Sequence, residues 1–211
     1  MSTYTLYGSR GSGSAVVEIA LRVAGLPYRV VRASTWEPDS ALAELSKVNP
    51  LKQIPTLVLP EGGVMTESAA ILIYLGLSAP ESGLLPAAAG ARAQAIRGLV
   101  FIAANCYAAI GINDYPERWT TAKTSAAREK VRQGTRAQLY RNWEIFADSF
   151  PAAPYLSGTR AGALDFLAVV VSRWGGARPE IKERRPAFFA TLTRIEQHPI
   201  VAAVFAEHWG G

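Results

Sequence analysis

Gln53-Ile54-Pro55-Thr56-Leu57-Val58-Leu59, followed by Thr66-Glu67-Ser68-Ala69-Ala70-Ile71, is the stretch around which the rest of the chain arranges itself. Thr56 to Leu59 is apolar and β-branched, the pattern of a buried strand. A proline just before such a strand cannot donate to a ladder, which puts Pro55 at the strand's entry or at a bend. An X-Pro bond is also the peptide link whose cis form costs only about 0.5–1 kcal/mol. A cis bond here would turn the Ile54 amide and carbonyl outward, free to pair with an extended peptide ligand. Glu61-Gly62-Gly63 closes a hairpin, and Val64-Met65 is its returning strand. Thr66-Glu67-Ser68 opens a helix whose apolar stripe is Ile71, Leu72 and Leu75. Free amides and a hydroxyl at a helix start suit a carboxylate, and the Glu67 side chain beside them suits an ammonium.

A backbone rung, an anion seat and a counter-charge for an amine are together what a γ-glutamyl tripeptide requires. With Asn49-Pro50 ahead of it, the segment Gln53-Ile54-Pro55-Thr56-Leu57 … Glu67-Ser68-Ala69-Ala70-Ile71 resembles the glutathione-binding half of a cytosolic glutathione transferase. Pro55 alone would be an ordinary strand-entry proline, and Glu67-Ser68 alone a plain helix cap. Their combination at this spacing carries the resemblance, which covers nearly the whole chain and is strongest over residues 1–77.

Outward from that segment, Thr3 to Tyr7 alternates as a first strand, and Ser9-Arg10-Gly11-Ser12-Gly13-Ser14 is a turn-rich loop. Val16, Ile19, Ala20 and Val23 repeat at helical spacing up to Gly25, and a second strand runs from Tyr28 to Val31. Strand, helix and strand in so short a span make the two strands parallel. Leu42 and Leu45 suggest a short helix ended by Asn49-Pro50. The resulting β-α-β-α-β-β-α order resembles a thioredoxin-like domain over residues 1–77, with a linker at 78–86. Residues 87–211 read as an all-helical domain, giving an α/β plus all-α chain. Helical patterns run from about Ala87 to Ala109 and from about Thr121 to Ser149. A buried helix follows at Gly162 to Leu167, with two short ones near Ala187–Gln197 and Ile200–His208. The family opens its buried helix with Ser or Thr three residues before Asp. Here Gly162 precedes Asp165, so the hydroxyl half of the capping box is absent.

The chain has 211 residues, 49% of them hydrophobic and 18% charged, so a sizeable core is affordable. A net charge of +5 is spread along the chain rather than gathered in a stripe, which argues against a nucleic-acid partner. One cysteine, Cys106, excludes an internal disulfide and a multi-cysteine metal site, and its apolar neighbours read as core. No basic-then-apolar leader and no uninterrupted apolar span are present, so a cytoplasmic protein without a membrane partner is expected.

The resemblance implies glutathione as co-substrate, no metal, a small hydrophobic electrophile as second substrate, and a homodimer. Activating a thiol takes a hydroxyl donor near the Ile54-Pro55 rung. The loop after the first strand offers Ser12, then Ser14, then Ser9 in order of fit to the serine-type members, each equally readable as a helix cap. Gln53, Ile54, Pro55, Glu67 and Ser68 are the implied glutathione contacts, with Lys52 a lesser candidate for the glycyl carboxylate. Arg10, Phe101, Asn105, Tyr107, Tyr115 and Trp119 are candidates for the electrophile pocket, although helical spacing of this kind is more often core. The same fold used as a non-catalytic binding module, or as a glutathione-dependent isomerase or peroxidase, is the alternative. A nucleotide-binding oxidoreductase fits worse: after Gly8, Gly11 and Gly13 the further glycine is replaced by Val16, and the second strand ends in Arg32 rather than an acid.

Overall fold

The computed structural model describes residues 3–210. Strand β1 (Tyr4–Gly8) is buried along its whole length, pairing in parallel with β2 (Tyr28–Arg32) and antiparallel with β3 (Thr56–Val58). β3 in turn pairs antiparallel with β4 (Val64–Met65), giving the order β2-β1-β3-β4. The parallel pair follows from the crossover helix α1 (Ser14–Val23), and the antiparallel end from the hairpin closed by Leu59 N–H to Gly63 O at 2.7 Å. Helices α1 and α3 (Ser68–Ser78) cover one face of the sheet through Val16, Ile19, Ala20, Ile71, Leu72 and Leu75. Helix α2 (Leu42–Val48) covers the other with a smaller cluster of Tyr7, Ala33 and Leu45. This is the thioredoxin-like arrangement expected from the sequence.

The helical half begins with α4 (Ala89–Phe101), runs through a π-helical turn at Ile102–Tyr107 and continues as α5 (Ala108–Asp114). By length and composition Ala89–Asp114 could cross a bilayer. In the fold it is a packing helix, with Leu99, Ile102, Cys106 and Ile110 buried and α6 and α7 against it. α6 (Ser125–Ser149) is capped by Thr124, whose hydroxyl accepts the Ala127 N–H. It contributes Leu139, Trp143 and Phe146 to the core, three and four residues apart on one helical face. α7 (Ala163–Val171) is buried at every position and packs on α9 (Pro186–Glu196), while α8 (Ala177–Arg184) lies on α6 and α9, and α10 (Pro199–Trp209) on α1 and α9. The core is continuous between the two halves, because α1 packs on α7 and α10, and α3 packs on α7.

One element was not read. No helix was expected between Leu167 and Ala187, yet α8 lies there, with Lys182, Glu183 and Arg184 exposed at its end. That helix buries only Ala177 and Ile181, too few apolar residues for a periodic signal; Arg184 at its end and Arg185 just after it pair with Glu144 and Asp148 of α6. Gly162 leaves the cap without its hydroxyl half, as expected, for a steric reason. A Cβ there would lie 2.8 Å from the Leu84 carbonyl oxygen, so serine or threonine does not fit. Asp165 compensates by accepting from three backbone amides rather than one: Leu156 at 2.8 Å, and Ser157 and Gly162 at 3.0 Å.

Buried phenols give the fold an alkaline limit. Burial and the Glu44 acceptor push Tyr7 up to about 12, and burial with Tyr74 beside it does the same to Tyr4. The folded state therefore keeps these protons where the unfolded chain, at about 10, has lost them. That contribution is complete below pH ~10 and disappears as pH rises toward 12. The denaturant midpoint is expected to fall across this window, together with the appearance of tyrosinate absorbance. Constant stability there would contradict it.

Candidate active site

A cleft of about 720 Å³ lies between the sheet's loop end and the helical half. Its floor comes from Gly11, Ser12 and Gly13, one side from Asn49 to Pro55, and another from Thr66 to Ser68. The helical half supplies Tyr107, Tyr115, Arg118, Trp119 and Trp174, and Trp36 joins them from the segment after β2.

The Ile54-Pro55 bond is cis. Ile54's N–H and C=O have no backbone partner among the described residues, so both remain available to a ligand's main chain. The segment leading to it is held by Asn49, whose Nδ2 donates to Gln53 O at 3.1 Å and Thr56 Oγ1 at 2.9 Å. Asn49 Oδ1 in turn accepts the Leu51 N–H at 3.0 Å. This buried asparagine organises the rung, a role that sequence reading missed by treating it as a helix terminator.

Across the cleft, α3 starts at Ser68. Its first intrahelical backbone bond is Ile71 N–H to Glu67 O, so the amides of Ser68, Ala69 and Ala70 carry no intrahelical bond. Three unpaired donors and the helix dipole are features that suit an anion. Glu67 stands beside them, exposed, in a backbone conformation (φ 61°, ψ 108°) that non-glycine residues seldom adopt.

The third wall is the loop into α1. Ser12 Oγ donates to Ser9 O at 2.7 Å, accepts the Ser14 N–H at 3.2 Å and lies 3.0 Å from Ser14 Oγ. Ser14 Oγ also reaches Ser9 O at 3.2 Å. Of the three candidate serines, only Ser12 lines the cleft; Ser9 and Ser14 are buried behind it. The loop is also fixed from the far end of the chain. Gly11 N–H donates to His208 Nδ1 at 3.2 Å, and His208 Nε2 meets the buried Glu18 carboxylate at 2.8 Å. Because Nδ1 accepts, the proton resides on Nε2 and is shared with Glu18. A histidine some 200 residues away offers no local signal, and this tie was not read from the sequence.

Among the other candidates, Gln53, Ile54, Pro55, Glu67, Ser68, Tyr107, Tyr115 and Trp119 line the cleft, whereas Arg10, Phe101 and Asn105 do not. Phe101 packs on Phe146 with ring centroids 5.8 Å apart, and Asn105 Nδ2 donates to Phe101 O at 3.0 Å. Tyr7, at the end of β1, donates its hydroxyl to Glu44 at 2.5 Å, away from the cleft. Tyr7→Phe is therefore expected to cost about 1 kcal/mol of stability and leave ligand binding in the cleft unchanged. A loss of binding beyond the loss of folded protein would contradict that placement. At the cleft mouth Trp36, Leu51, Tyr115 and Trp119 are exposed, and the Arg118 guanidinium sits 4.0 Å over the Tyr115 ring. Such an apolar, aromatic rim accommodates a hydrophobic molecule with a polar substituent. No cluster of metal-ligating side chains occurs among the described residues.

Known proteins with this architecture give the arrangement its context. Residues 14–77 match the family described as glutathione S-transferase, N-terminal domain. The uncharacterized GST-like protein YncG of Escherichia coli (strain K12) is 35% identical over 197 residues, spanning 92% of this chain and 93% of that protein. Glutathione S-transferase GstA of Escherichia coli O157:H7 is 25% identical over 198 residues, 93% of this chain and 94% of that one. A glutathione transferase homolog from Sulfitobacter, solved with bound glutathione, superposes with a TM-score of 0.84 at 25% identity, covering 98% of this chain and 99% of that one. With a GST-like relative 35% identical over 92% of its length and a family match at residues 14–77, the chain belongs to the glutathione S-transferase family.

Proposed function

We propose that the protein seats glutathione along the Ile54 rung and activates its thiol for attack on a small hydrophobic electrophile. The observation that carries this reading is the convergence, in one cleft, of the free Ile54 backbone, the Glu67-Ser68 helix start and the beginning of α1. The cysteinyl main chain pairs with Ile54. The γ-glutamyl carboxylate takes the α3 amides while its ammonium faces Glu67. Gln53, with Lys52 next to it on the cleft wall, faces the glycyl end. This geometry delivers the sulfur to the start of α1.

A free thiol has a pKa of about 8.5, so little of it is ionised at neutral pH. Lowering that value by ~2 units takes about 2.7 kcal/mol of selective stabilisation of the thiolate. The positive end of α1 and one or two hydrogen bonds to the charged sulfur are enough. The sulfur then forms a bond to the electrophilic carbon, the leaving group departs with its electron pair, and the thiol proton passes to solvent. The aromatic rim of Trp36, Tyr115 and Trp119 holds the electrophile over the sulfur. A second copy of the chain as partner, and a cytoplasmic location, are part of the same reading.

Incubating purified protein with glutathione and an activated aryl halide is expected to produce the thioether at a rate proportional to enzyme. Glutathione binding without turnover of aryl halides, epoxides, peroxides or isomerisable enones would replace the enzyme by a binding module.

A further inference from the structure

We propose that Tyr107, contributed by the helical half, is the hydroxyl that hydrogen-bonds the glutathione sulfur, with the serine loop acting as its support. The proposal rests on the glutathione reading above. A thiolate at the start of α1 needs a donor whose proton is not already committed. Ser12 donates to Ser9 O at 2.7 Å, Ser14 is enclosed behind it, and Tyr7 is bound to Glu44. Tyr107 is different. Its hydroxyl has no hydrogen-bond partner among the described residues, and the residue lines the cleft.

The position of that hydroxyl is unusually well defined. A Cβ built on Gly13, the residue just before α1, would lie 2.3 Å from Tyr107 Oη and 3.5 Å from Pro55 Cδ. The phenol, the entry to α1 and the proline of the rung thus converge on one point. That point is where the cysteinyl sulfur of a peptide paired with Ile54 arrives. Only glycine at position 13 leaves room for the phenol to come so close.

Two further features hold the ring there. Tyr107 is stacked on Trp174, with centroids 5.7 Å apart and an interplanar angle of 25°. It also ends the π-helical turn Ile102–Tyr107, and such turns rotate the following residues out of α-helical phase and recur at functional sites. Burial pushes the phenol up to about 12, so it remains protonated at neutral pH and acts as a donor rather than a base.

The test compares the unaltered protein with Tyr107→Phe, Gly13→Ala and Ser12→Ala. S-methylglutathione, which has no ionisable thiol, reports seating by calorimetry, and ultraviolet thiolate absorbance against pH reports the bound glutathione thiol. Tyr107→Phe is expected to raise the thiol midpoint by about one pKa unit, leaving about threefold less thiolate at neutral pH, with S-methylglutathione affinity within about twofold. The acidic limb of the kcat/KM profile should move with it. Gly13→Ala, which keeps the phenol but displaces it, should raise the midpoint in the same direction. A midpoint unmoved by Tyr107→Phe, or raised by Ser12→Ala alone, overturns the assignment while leaving glutathione binding intact. An absence of heat with S-methylglutathione from the unaltered protein removes the glutathione reading and this inference together.

Discussion

Replacing Glu67 with glycine is expected to raise the glutathione dissociation constant by about ten- to a hundredfold without harming the fold. The loss follows from removing the carboxylate that faces the γ-glutamyl ammonium, since hydrogen bonds to charged groups contribute about 1.5–3 kcal/mol. Glu67 is solvent-exposed, so the effect is expected to shrink at high salt. The stability side is opposite in sign. A non-glycine residue at φ 61°, ψ 108° bears a conformational cost of about 1–3 kcal/mol, which glycine relieves. Glycine's greater freedom in the unfolded chain cancels roughly 0.5–1 kcal/mol of that gain. Unchanged or slightly raised stability with weakened binding would mark Glu67 as a residue retained for its ligand. Calorimetric titration and a denaturant curve on one preparation measure both. Undiminished affinity would remove Glu67 from the site.

Asp165→Ala is expected to destabilise the protein by about 4 kcal/mol, the largest effect of any single substitution considered. The carboxylate is fully buried, and its two oxygens accept the Leu156, Ser157 and Gly162 amides at 2.8 to 3.0 Å. Burial pushes its carboxyl up from the ordinary range, while these amides oppose that rise. Without the side chain, three amides lose their acceptor, each at about 1–3 kcal/mol before relaxation. The hydroxyl of a conventional cap is not available to compensate, because Leu84 O occupies its space beside Gly162. Asp165→Asn retains one oxygen acceptor but turns an NH2 group toward a backbone amide, so about half the loss is expected. A shift below 1 kcal/mol in the denaturant midpoint for Asp165→Ala would show that the loop from Leu156 to Gly162 does not depend on this carboxylate.

The half of the site legible in the sequence is the half encoded locally. Ile54-Pro55 precedes its strand, and Glu67-Ser68 opens its helix, within a span short enough for spacing alone to bring them together. The opposite wall was not legible in the same way. Phe101 and Asn105 each stand two residues from the cleft-lining Ala103, about 200° round an α-helix, so they face away from the cleft. Phe101 packs on Phe146 instead, while Tyr107, one turn beyond Ala103, reaches the loop into α1. The loop's anchor was invisible for another reason. His208 meets Gly11 only because α10 packs on α1, a contact that no local pattern records. Charged α8 escaped notice because only Ala177 and Ile181 reach the core, too few apolar residues to make a stripe.

The central claim is that one cleft recognises a sulfur-bearing tripeptide by its main chain, its amine and its carboxylates. A crystal structure of the protein grown with glutathione tests it most directly. The account predicts the cysteinyl main chain paired with Ile54 N–H and C=O, the γ-glutamyl carboxylate on the Ser68 and Ala69 amides, and the sulfur at the start of α1. Glutathione bound elsewhere, or a cleft empty at millimolar ligand, would contradict it.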